Sequence, residues 1–154
     1  MDGTKVSDVT PLAGLVSLQT LFLGHTRIAD VKPLSHLYSL KTLYLNDTTI
    51  TGVEPLVSLT SLEALSLKNT RVSYLRPLSN MLSLQTLDLE NTGVSDLRPL
   101  SNMSSLRWLD LRGTSVSDLQ PLLPLASLRY LILEKTNVRS IPEGLRRPAL
   151  KIRT

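Results

Sequence analysis

A threonine returns every 22 residues along this chain, at Thr4, Thr26, Thr48, Thr70, Thr92, Thr114 and Thr136. Prolines keep the same step (Pro11, Pro33, Pro55, Pro77, Pro99 and Pro121), and so do the leucines Leu18, Leu40, Leu62, Leu84, Leu106 and Leu128. No insertion or deletion interrupts the count. Self-similarity at a fixed period of this length marks a solenoid, in which each unit touches only its neighbours. Such a chain stacks into an array and does not close around a central pocket.

Within each unit the phrase S-L-x-x-L-x-L reads as a short strand, as at Leu106, Leu109 and Leu111. Leu109 and Leu111 alternate with Trp108 and Asp110, which sends leucines to one face and variable residues to the other. One such strand cannot bury its apolar side alone. Stacked at about 4.8 Å on its neighbours, it joins a parallel sheet whose leucines fill a continuous core. A second apolar set on the return path, Val116, Leu119, Leu122 and Leu125, completes that core. Proline fixes φ and extends the residue before it. The repeated x-Pro-Leu therefore suits a tight turn on the convex side, and the few residues available favour short 3₁₀ pieces over long α-helices.

These residues resemble the leucine-rich repeat family, pattern L-x-x-L-x-L-x-x-N-x-L, in the form L-R-W-L-D-L-R-G-T-S-V from Leu106 to Val116. The unit length and the x-P-L-x-x-L return resemble the bacterial internalin subclass. The resemblance covers nearly the whole chain and implies an α/β repeat solenoid: a curved array with a parallel β-sheet on its concave face and short 3₁₀ or irregular segments on its convex face. Residues 1–154 are then a single leucine-rich repeat domain of about six units, with an incomplete first unit over 1–12 and a degenerate last one over 137–154. The family's usual asparagine is threonine in every unit here. A hydroxyl has one donor where an amide has two, so a thinner hydrogen-bond ladder is expected, with the methyl group packed inward.

There is no cysteine, hence no disulfide framework and no thiolate chemistry. Its absence leans towards a reducing, cytoplasmic setting; a secreted effector is the alternative. No apolar run approaches the roughly 20 residues needed to cross a membrane, and no signal peptide is visible. The sequence pI of about 9.6 invites a nucleic-acid reading. The excess charge, however, lies in the last residues: Arg139, Arg146, Arg147, Lys151 and Arg153 against Glu143. A nucleic-acid surface needs a basic stripe along the binding face, so no nucleic-acid partner is expected. The basic end reads as a solvated terminus or, alternatively, a docking tail.

Residues 3–12 align with Gly113–Leu122, so the first unit has a return path and no strand. The open start is expected of a segment cut from a longer repeat protein; the alternative is a short chain whose end a partner or a second copy shields. At the far end Leu150 and Ile152 are expected to match Leu131 and Leu133, 19 residues earlier.

The resemblance implies that partners lie across the concave face. Before the second leucine of each strand stand Thr20, Thr42, Ala64, Thr86, Trp108 and Tyr130; between the last two stand Phe22, Tyr44, Ser66, Asp88, Asp110 and Ile132. After the last leucine come Gly24, Asn46, Lys68, Glu90, Arg112 and Glu134. Two apolar spots emerge, Phe22 with Tyr44 and Trp108 with Tyr130 and Ile132, the latter amid Arg107, Arg112 and Arg129. Exposed aromatics and arginines dominate binding hot spots; the plainer reading is side chains that merely cover neighbouring strands. Asp88 and Asp110 share a column, so one carboxyl pKa should rise, unless Arg112 or Arg129 neutralises Asp110. Tyr74 stands in the column of Asp8, Asp30, Asp96 and Asp118.

No nucleophile or base accompanies the aspartate pair, and no phosphate loop or nucleophile elbow occurs. His25 and His36 lack metal-ligand spacing. The expectation is a non-enzymatic module without metal or cofactor. It would bind a protein partner through Phe22, Tyr44, Asp88, Glu90, Trp108, Asp110, Arg112, Tyr130 and Ile132. The alternative is the substrate-recognition part of a larger bacterial enzyme or effector.

Overall fold

The computed structural model describes Met1 and residues 3–154. Seven three-residue strands, β1 (Thr20–Phe22), β2 (Thr42–Tyr44), β3 (Ala64–Ser66), β4 (Thr86–Asp88), β5 (Trp108–Asp110), β6 (Tyr130–Ile132) and β7 (Lys151–Arg153), pair in sequence order. Every pairing is parallel, and from β1 to β6 the register is the sequence period itself, as in Leu21 with Leu43 and Leu87 with Leu109. The middle residue of each strand points inward. Leu43, Leu87, Leu109 and Leu131 are fully buried beside the second leucines Leu45, Leu89 and Leu111. Each such side chain contributes about 1.5–3 kcal/mol of apolar burial, and one core runs the length of the stack.

The chain leaves each strand through a left-handed residue: His25, Asp47, Asn69, Asn91, Gly113 and Lys135 all have φ between 52 and 65°. Glycine, asparagine, aspartate and histidine are the types that tolerate this conformation. Lys135 is the exception in type. One residue on, each repeat threonine donates its hydroxyl to the carbonyl three residues back, as Thr26 does to Leu23 at 2.6 Å and Thr70 to Leu67 at 2.6 Å. Each hydroxyl thus donates one bond, where an amide would offer two donors, and that bond closes the turn of its own unit. The ladder between units belongs to the left-handed column, where Asn91 Nδ2 donates to Asn69 Oδ1 (2.8 Å) and Asn69 Nδ2 to Asp47 Oδ1 (2.7 Å).

The convex side carries 3₁₀ turns at Thr10–Leu12, Lys32–Leu34, Glu54–Leu56, Arg76–Leu78, Arg98–Leu100 and Gln120–Leu122, each with proline in its first turn. Asp8, Asp30, Asp96 and Asp118 accept the backbone N–H two residues on, at 2.7–2.9 Å. This is the side-chain turn that aspartate favours. Gly52 and Tyr74 hold the same place in the two middle units and supply no such acceptor.

The last unit departs from expectation. Leu131 pairs with Ile152 and Tyr130 with Lys151, so the pairing of Leu150 and Ile152 with Leu131 and Leu133 is overturned. The unit is one residue short. Leu150, buried and donating its N–H to Arg147 three residues back, takes the place that Leu128 holds in the unit before. A seventh 3₁₀ turn, Glu143–Leu145, buries Leu145 beneath it.

Candidate functional site

The strands place their outward residues in two rows across the concave face. On β1 and β2, Phe22 and Tyr44 stand in register and meet edge to face, with ring centroids 5.1 Å apart. On β5 and β6, Trp108 stands in register with Tyr130, and Lys151 lies over the Tyr130 ring at 5.6 Å. Phe22 and Tyr130 remain nearly half exposed, at 45% and 47%. Between these pairs, β3 and β4 carry only Ala64, Ser66, Thr86 and Asp88.

Small residues flanked by large ones leave an open depression of about 760 Å³. Tyr44 walls it on one side and Trp108 with Tyr130 on the other; Leu65, Ser66 and Thr86 line its base, and Asn46, Lys68, Asp88 and Arg107 complete the rim. Tyr44 and Trp108 are three strand steps apart, about 14 Å along the sheet. The two apolar spots read separately in the sequence are therefore opposite walls of one feature. Phe22 and Ile132 stand outside it: Phe22 backs Tyr44, and Ile132 pairs in register with Asp110. Asn46, Ser66, Lys68 and Thr86 were not among the residues the sequence singled out. For Ser66 and Thr86 the signal was a small residue in a column that turns aromatic at Tyr44 on one side or at Trp108 on the other; Asn46 and Lys68, in the column after the last leucine, carried none.

At the strand ends lies an ionic network. Arg112 Nε holds Asp110 Oδ2 at 2.9 Å and its Nη2 reaches Glu90 Oε2 at 2.8 Å; Lys68 Nζ meets the same Glu90 oxygen at 2.7 Å. Asp110 is fully buried, at 0% exposure. Its expected place among the partner-contacting residues is corrected: its carboxylate is spent on Arg112, whose backbone N–H it also accepts at 2.9 Å. Hydrogen bonding to Asp110 and the nearby acids raise Arg112 above the ordinary arginine range, and the bond to Glu90 raises Lys68 likewise. Arg129 takes no part and folds back on the carbonyls of Ala126 and Leu128.

Asp88 is different. It accepts the Glu90 N–H at 3.0 Å and a long bond from the Ser66 hydroxyl at 3.4 Å, and it makes no ion pair among the described residues. Burial pushes its carboxyl above the ordinary aspartate range, with the charges of Asp110 and Glu90 adding to the effect and Lys68 opposing it. Oxygens of Asp88, Glu90 and Asp110 lie within 4.8 Å of one another. Lys68 and Arg112 already stand among them as cations.

The geometry is that of a parallel-strand solenoid with a shaped concave surface. A family model described as leucine-rich repeats (two copies) matches residues 38–80 and again 60–102. The internalin inlF of Listeria monocytogenes superposes with a TM-score of 0.87 at 36% identity, over 89% of this chain and 41% of that one. The internalin inlC2 of the same organism gives 0.89 at 30% identity, over 99% of this chain and 69% of that one. The ectodomain of the plant membrane receptor kinase GASSHO1/SCHENGEN3 from Arabidopsis thaliana, solved in complex with Casparian strip integrity factor 2, gives 0.77 at 24% identity. It is matched over 90% of this chain and 18% of that one, a likeness of fold alone. A comparison with curated protein sequences returned no match. The chain belongs to the leucine-rich repeat family and is internalin-like. Leucine-rich repeats are typically protein-interaction modules, and internalin-like ones are typically non-enzymatic. Among the described residues, no helix is long and apolar enough to cross a membrane.

Proposed function

We propose that this chain is a non-enzymatic binding module that takes a protein partner on its concave sheet, with Trp108, Tyr130 and Tyr44 as anchors. The observation that carries this reading is the depression whose walls are these aromatics. Large aromatics that stay exposed are the side chains that dominate hot spots. The stacked strands hold them in place before any partner arrives, which lowers the ordering cost of association. Glu90 and Arg112, tied to each other at the strand ends beside the depression, form a rigid polar edge that fixes the register of the partner. Phe22 and Ile132 extend the contact beyond the depression.

A second reading makes the chain the recognition part of a larger bacterial enzyme or effector, a role in keeping with its span of 41% of inlF and 69% of inlC2. The test of the binding role is comparative capture. The wild-type chain and the Trp108→Ala/Tyr130→Ala variant, both confirmed folded by circular dichroism, serve as baits in cell lysate and in culture medium. A protein retained by the wild type and lost by the variant supports concave binding. Equal recovery on both baits refutes it.

A further inference from the structure

We propose that the depression reads a basic side chain: a lysine or arginine of the protein partner enters between Tyr44 and Trp108 and pairs with Asp88. The inference rests on the concave-face reading above and gives the partner a chemistry.

Charge bookkeeping within the network is the first ground. Three carboxylates share two cations. Glu90 holds Lys68 and Arg112, and Asp110 holds Arg112. Asp88 is left with a backbone N–H and a distant hydroxyl, and it lines the depression. The carboxyl is already held above its ordinary range by burial and by its acidic neighbours, so an arriving cation removes a cost that the folded chain otherwise carries.

The walls are the second ground. Aromatic faces attract ammonium and guanidinium groups within about 6 Å. Tyr130 already accepts Lys151 in this way at 5.6 Å, which leaves Tyr44 and Trp108 for a cation from outside. The base between them, Ser66 and Thr86, is small enough to admit a long aliphatic stem. Lysine and arginine lay such stems along apolar walls while the charged head reaches a polar group.

Arg107 also lines the depression, and its side chain has no hydrogen bond or ion pair among the described residues. It precedes β5 by one residue and so stands three residues along the strand direction from the level of Asp88 and Asp110, a distance of about 10 Å. A partner segment lying along the strands would therefore carry its base at one end and an acid about 10 Å away.

The probe is a phage-displayed library of random dodecapeptides, panned on the full chain. The expected outcome is enrichment of lysine and arginine. The best peptide should lose about tenfold in affinity on Asp88→Asn, the size of one charge-assisted hydrogen bond. Panning on Asp88→Lys should select acidic peptides instead. Since Asp88→Asn relieves an unfavourable charge, its loss of binding cannot be laid to unfolding, and a melting curve checks this. Selected peptides that lack a base, or that Asp88→Asn holds undiminished, overturn the proposal. If Trp108→Ala still abolishes their binding, the concave-face reading survives that failure. Peptides that Trp108→Ala binds as well as the wild type does overturn both readings. A library that yields no enriched sequence overturns the proposal too.

Discussion

Asp88 carries a charge that its folded surroundings disfavour, and the sign of the effect can be worked out. Its carboxyl lies above the unfolded value of 3.8, first because it is buried and then because Asp110 and Glu90 stand near. Ionisation therefore costs the folded state, and the cost is fully present only at pH above the raised folded value. It fades as pH falls through the raised folded value. Asp88→Asn keeps the acceptor for the Glu90 N–H and should raise Tm at pH 7, with the gain shrinking as pH approaches 4. Circular dichroism melts at the two pH values check this; an equal gain at both would refute the electrostatic cause. Thr70 offers a second test. Thr70→Val leaves the Leu67 carbonyl without its 2.6 Å donor and should cost about 1–3 kcal/mol, while Thr70→Ser, which keeps the hydroxyl, should lose less than half of that. A larger loss in Thr70→Ser than in Thr70→Val would shift the role of Thr70 from its hydroxyl to its methyl.

At the scale of the element, two of the six proline-bearing convex turns lack the aspartate that completes the other four. Arg76 N–H has no acceptor two residues before it, because Tyr74 stands there, 53% exposed. Tyr74→Asp should supply one and stabilise the fold by about 0.5–1 kcal/mol, read as a higher urea midpoint with unchanged slope. A lower midpoint would mean that the tyrosine ring holds its neighbours together. The turns also show how far the sequence could be read. Proline, leucine and threonine columns dictate strand, turn and core wherever the period is unbroken, because a register of one whole unit is the only one that keeps every leucine inside. The period fails after Val138. There a unit one residue short slides Ile152 beneath Leu131, and nothing in the apolar pattern distinguishes that slip from a shorter one. Alternation likewise places Asp110 outward, as it is, and says nothing of Arg112, which grips its carboxylate. The walls of the depression were visible as residues. Their membership of one feature depended on the small side chains between them.

Across the whole molecule, contacts run only between neighbouring units, so stability is distributed along the stack and frays from its ends. Amide hydrogen exchange should be slowest in β3, β4 and β5, which are paired on both sides, and fastest in β1 and β7, which are paired on one. Leu87→Ala, in the middle of the stack, should cost about 2–5 kcal/mol and speed exchange on both flanks. Ile152→Ala on β7, half-buried, should cost less and leave β1 to β4 protected as before. Uniform acceleration from the terminal change would show that the array unfolds as one cooperative block.

The constancy of the register has a further consequence for the jaw formed by Tyr44 and Trp108. Two strands separate its sides, and each strand enters with its whole repeat. The opening can therefore change only in notches of one strand spacing, about 4.8 Å. Excising residues 64–85 would join Glu63 to Thr86 in the same phase that Gln85 now occupies and close the jaw by one notch, with Asp88 still inside it. A single inserted residue would turn the following strand over instead. Width, in this molecule, is a counted quantity.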